Sequence, residues 1–132
     1  PAYHSLRLVL WGHGLREGIL ALYAAALDLR VDTVVSAGGL VCYQDIVDKD
    51  GTPDFDWYVP GILKRADVAQ IAAVCAPRRV VISSPVCVTG RPASPEEIEK
   101  AYEWAAQVYR LMSASDRLLA GGVDPLAVLT SY

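Results

Sequence analysis

The sequence predicts an α/β fold of three layers, a mostly parallel sheet of three to four strands flanked by helices. Short apolar runs that end at glycine or serine alternate with stretches of helical periodicity, the pattern of strands joined by right-handed crossovers. The 132 residues are 53% hydrophobic and 20% charged, enough apolar material for a packed core and too little charge for disorder. No internal repeat or low-complexity tract interrupts this order.

Leu6–Trp11 is apolar and halts at glycine, which reads as a buried strand. Gly12-His13-Gly14 turns the chain, and Gly18–Asp28 is rich in Ala and Leu, hence helical. Val31–Ala37 is a second strand, stopped by Gly38-Gly39. Residues 40–65 read as one long irregular loop with Pro53, Pro60 and three aromatics, Phe55, Trp57 and Tyr58. Asp67 with Gln70 forms a capping-box pattern for a helix over Val68–Cys75, which must stop near Pro77.

Arg79–Ser83 is the third strand. Ser94-Pro95-Glu96-Glu97 is a helix start with a capping hydroxyl, proline in the first turn and two acids facing the positive end of the helix dipole. Ile98, Ala101, Tyr102, Ala105, Val108, Tyr109 and Met112 then recur as one core-facing stripe. Asp116–Ala120 is a weak fourth strand and Leu126–Leu129 a short terminal helix. Residues 1–132 read as a single domain.

Composition narrows function mainly by exclusion. A net charge of −3 offers no basic surface for nucleic acid or anionic membranes. No run of 18 apolar residues suggests a membrane span. Pro1-Ala2-Tyr3-His4 shows no signal peptide, and the absence of an initiator Met leaves a processed or excised chain open. Cys42, Cys75 and Cys87 are odd in number and widely spaced, so they read as free thiols rather than a disulfide framework or zinc site. No metal and no cofactor is expected.

Gly12, Gly14 and Gly18 follow a strand and open a helix, a turn that serves two chemistries. Dinucleotide sites use such glycines to bring backbone close to a pyrophosphate. Here the spacing is G-x-G-x-x-x-G, and Ser36-Ala37-Gly38 ends the second strand without an acid for a ribose. α/β-Hydrolases use a sharp G-x-S-x-G turn to lift a nucleophile above the sheet.

Three stretches carry a resemblance. ALYAAALDLRVDTVVSAGG resembles the helix after the nucleophile turn and the next strand in α/β-hydrolases of the acetyl xylan esterase and dienelactone hydrolase type. YVPGILKRADVAQIAAVCAPRRVVIS is similar to their following segment, and SPEEIEKAYEWAAQVYRLMSASDRL to the helix after the acid-bearing loop. The similarity covers about residues 6–119 and implies the later half of a hydrolase sheet.

It also implies a triad whose places this chain fills otherwise. The nucleophile position falls on Gly14, or on Leu15 when aligned from the helix side. The acid position falls near Cys87 in Ser84-Pro85-Val86-Cys87-Val88-Thr89. No His follows His13, although the family histidine would stand near Gly121-Gly122. A triad needs nucleophile, base and orienting acid within hydrogen-bond reach. The expectation is therefore a catalytically degenerate scaffold or binding module within a larger assembly. The alternatives are an esterase completed by another segment or chain, and a small nucleotide binder at the Gly12–Gly18 turn.

Further ligand-binding candidates are His13, at the carboxyl end of the first strand, and Trp57 and Tyr58, which could cover a sugar or acyl group or simply anchor their loop. Asp45, Asp48, Asp50, Asp54 and Asp56 do not follow an EF-hand order and read as a solvated acidic loop. With no earlier strands, Leu6–Trp11 becomes an apolar sheet edge, which predicts self-association or a partner segment there.

Overall fold

The computed structural model describes residues 6–48 and 59–131. Four strands, β1 (Leu8–His13), β2 (Val31–Ala37), β3 (Arg79–Ser83) and β4 (Leu118–Gly121), form one sheet in the order β1-β2-β3-β4. All three pairings are parallel. Helix α1 (Leu15–Leu27) links β1 to β2, α2 (Gln44–Asp48) and α3 (Val68–Val74) lie between β2 and β3, α4 (Pro95–Leu111) links β3 to β4, and α5 (Pro125–Thr130) follows.

Strand alternation sends side chains to two faces. Leu10, Val34, Val80, Ile82 and Leu118 join the large core beneath α1, α3 and α4. Val35, Ala37, Val81 and Leu119 point the other way, where Val123 and Val128 of the α5 region cover them. Helices thus flank both faces, as the alternating pattern predicts. Central β2 and β3 are buried on both sides, which explains their unbroken Val-rich reading.

Locally encoded elements form where their signals lie. Asp67 accepts from Val68 N while Gln70 accepts from Asp67 N. Ser94 and Glu97 close the same reciprocal box on α4. Ile98, Tyr102, Ala105 and Tyr109 are buried, Ala101 and Val108 half-buried, and only Met112 of the stripe is exposed.

Boundaries shift where pairing overrides local signals. β1 runs on through Gly12 and His13 because they pair with Ser36 and Ala37. α1 accordingly starts at Leu15, three residues before the expected Gly18. A 3₁₀ turn over Ser115–Arg117 delays β4 to Leu118. The long loop holds structure that the sequence reading lacks: α2 and a 3₁₀ turn at Ile62–Lys64. Asp67 anchors α2 from afar, its carboxylate accepting from Tyr43 N at 2.5 Å and Gln44 N at 3.1 Å. Asp45, expected to be solvated, is buried and accepts from Val88 N.

Candidate functional site

The carboxyl edge of the sheet is where a parallel α/β fold gathers ligand-binding groups. Backbone hydrogen bonds carry each ladder one residue past its strand there. Gly14 N donates to Ala37 O (2.8 Å), Gly38 N to Ser83 O (2.8 Å) and Ser84 N to Gly121 O (2.7 Å). The chain leaves all four strands through positive φ, at Gly14, Gly38, Ser84 and Gly121. The edge is therefore a stitched platform rather than a set of independent loops.

The Gly12–Gly14 turn has the build of a strand-to-helix elbow. Gly12 is buried against α1, and a Cβ there would sit 2.0 Å from Glu17 O, so only glycine allows this approach. Gly14 is the N-cap of α1 with φ 121°, a conformation that side-chain-bearing residues rarely adopt. The first residue of the helix, Leu15, is half-buried and packs on the core. Neither position presents a nucleophilic atom. A Cβ on Gly14 would stand 2.5 Å from Glu17 Oε2, so the Glu17 carboxylate lies over the spot that a side chain at the elbow would take. Glu17 in turn pairs with Arg16 (Nη2 to Oε1, 3.3 Å).

His13 ends β1, exposed, and is the sole histidine among the described residues. Cys87 lies in the loop between β3 and α4 and is fully buried. Its thiol accepts from Arg91 Nη2 (3.1 Å) and donates to Glu97 Oε2 (3.8 Å). Arg91 is itself paired with Glu97 Oε1 at 2.8 Å, and that pairing raises the guanidinium pKa further above its already high value. Where the resemblance puts an acid, the chain therefore places a cysteine inside an Arg–Glu pair, which braces the loop against the start of α4. Two contacts hold this loop to the neighbouring one, Val86 N to Gly39 O and Val41 N to Val86 O, both 2.9 Å. Gly39 abuts Gly18 of α1, so the elbow and the Cys87 loop belong to one packed unit. Trp57 and Tyr58 lie outside the described residues.

A concavity of about 950 Å³ runs beside α4 and the outer edge of β4. Ser84, Gly121 and Gly122 line it, together with Ile98, Tyr102 and Glu99. It thus reaches the region where the resemblance puts a histidine, but Gly12, His13 and Gly14 are not in its walls. Among the described residues no group of three or more His, Cys, Asp or Glu side chains could hold a metal ion. No described helix is long and apolar enough to cross a membrane.

No family model and no curated protein matches the chain. Four chains of solved structure do. One is a carbohydrate esterase family 15 glucuronoyl esterase from Caldicellulosiruptor kristjansonii, with a TM-score of 0.60 and 19% sequence identity. The match covers 93% of this chain and 40% of the esterase, so the chain spans well under half the length of that neighbour. At this identity the likeness is one of fold. What the two share is a parallel sheet flanked by helices, matched to part of the esterase.

Proposed function

We propose that this chain is a hydrolase-like domain without hydrolytic activity of its own, acting as a scaffold or binding module within a larger assembly. One observation carries the reading: the elbow keeps its tight backbone, yet Gly14 stands at its apex and the Glu17 carboxylate lies over it. An exposed Glu beside Arg16 is neither positioned nor activated as an acyl-transfer nucleophile, and the exposed His13 is the sole imidazole among the described residues.

A second reading has an observation of its own. The neighbouring esterase is 60% unmatched (100% minus the 40% covered), so such a fold has room for catalytic groups beyond the region this chain resembles. In that reading the domain is one part of an esterase-like hydrolase completed by another segment or chain.

Hydrolysis of p-nitrophenyl acetate by the chain and by Gly14→Ser separates the two. A serine at φ 121° costs on the order of 1–3 kcal/mol of strain, and Glu17 can swing away because it is half exposed. Circular dichroism therefore accompanies the assay to check the fold. The expected result is no turnover above buffer from either protein. Saturable turnover by the unmodified chain ends the scaffold reading. A gain confined to Gly14→Ser would mean that the elbow lacks only its nucleophile, which counts against the need for another segment or chain.

A further inference from the structure

The opposite, amino-terminal edge of the sheet carries a feature that the proposed function does not use. Arg7, Asp32, Thr33, Arg79 and Arg117 line a cavity of about 400 Å³ there. Three guanidiniums and one carboxylate sum to +2 (3 − 1) on a chain whose overall net charge is −3. We propose that this cavity is a binding site for a phosphate dianion, carried by a small phosphate monoester.

The side chains converge for reasons built into the sheet. Val9, Thr33 and Arg79 lie side by side in register across β1, β2 and β3, so Thr33 and Arg79 point to the same face. Leu118 pairs with Val80, so Arg117, the last residue of the 3₁₀ turn before β4, comes level with Arg79, and both line the cavity. The register of β1 on β2 slips between Leu8 and Val9, where Asp32 is the extra residue. That bulge turns the Asp32 carboxylate to accept from Leu8 N at 2.9 Å, which pins the chain directly after Arg7. Thr33 is buried, and Arg117 is tethered through Nη1 to Pro77 O at 3.3 Å. Two of the three arginines are therefore fixed by regular strand geometry or a backbone tether before any ligand arrives.

The chemistry favours an oxyanion. Guanidinium presents a planar fork of donors that matches phosphate oxygens, and three of them line this one space beside a single carboxylate. A dianion neutralises the +2 of the lining. The cavity exceeds what phosphate alone fills and falls in the range of small-molecule sites, which is why a monoester suits it better than the free ion.

Thermal melts at constant ionic strength test the assignment, using chloride, succinate, inorganic phosphate and phenyl phosphate. A ligand that binds only the folded state raises the midpoint with concentration. Phenyl phosphate is expected to raise it most, inorganic phosphate less, and chloride not at all. Arg79→Gln should weaken phosphate binding at least tenfold by isothermal titration calorimetry. Arg117→Gln, at an exposed position, provides the same reading should Arg79→Gln fold poorly. No midpoint rise with either phosphate up to tens of millimolar overturns the proposal, as does a rise that both variants retain undiminished. Succinate matching phenyl phosphate also overturns it, because the site would then read charge and not phosphate.

Discussion

Arg78 shows how one side chain can hold two distant segments together. Its Nη1 donates to Ala25 O (2.8 Å), Asp28 O (3.0 Å) and Val31 O (3.0 Å), while Nε donates to Cys75 O (3.2 Å). Ala25 and Asp28 lie at the end of α1, whose last carbonyls have no helical partner and whose dipole favours a cation. Nη2 is buried without a hydrogen bond among the described residues, which offsets part of the gain. Arg78→Ala should cost about 2–4 kcal/mol in urea unfolding with an unchanged m-value, since it strands carbonyls in a half-buried place. A loss below about 0.5 kcal/mol would show that water replaces the guanidinium at no cost. The Ala76-Pro77-Arg78 stretch was legible as part of a family resemblance. Its physical reason was not, because the acceptors lie 47 to 53 residues away. Asp45 escaped sequence reading in the same way: its neighbours in the chain are polar, but its acceptor role is set by Val88, 43 residues on.

Whole elements were legible where the information is local. β2 and β3 form over the residues their apolar runs mark, and α3 and α4 begin at their capping boxes. α2 was not legible, since five residues have no helical stability alone and depend on Asp67. How α4 docks gives a pH prediction. The Tyr109 hydroxyl donates to Arg78 O at 2.8 Å. Burial, with a smaller contribution from Cys75, pushes its phenol above the usual range, against an opposing effect of Arg78. Burial does the same to Tyr102. A phenol that holds its proton more tightly when folded adds stability that is fully present below the unfolded pKa of about 10 and is lost as pH rises beyond it. Stability measured by denaturant should therefore fall from about pH 10 upward. Tyr109→Phe should be less stable by about 1 kcal/mol at neutral pH, where Arg78 O loses its donor, yet decline more shallowly in alkali. Parallel alkaline limbs for the two proteins would refute this account of how α4 is held.

At the scale of the molecule, the sheet has two edges among the described residues. β2 and β3 are enclosed, whereas β1 and β4 each have a neighbour on one side only, and Leu8, Val9 and Trp11 of β1 are 49%, 37% and 39% exposed. Leu6, just before it, is 75% exposed. Such an edge pairs unpaired backbone groups with apolar side chains above and below them, the combination that recruits another strand. Among the described residues, nothing in β1 carries the inward charge, proline or bulge-driven twist that usually blunts an edge, apart from the slip beside Leu8. We infer that β1 is covered in the working protein by a partner segment or, in the isolated chain, by a second copy. Light scattering across a concentration series should then show a mass rising above 14.2 kDa as the chain is concentrated. Val9→Lys combined with Trp11→Lys should hold the mass at one chain with the circular dichroism spectrum unchanged, because both side chains leave the large core beneath α1 untouched. A wild-type chain that stays monomeric at every concentration and unfolds with the cooperativity of a complete domain would mean that this edge tolerates water, and the idea of a covered β1 would have to be abandoned.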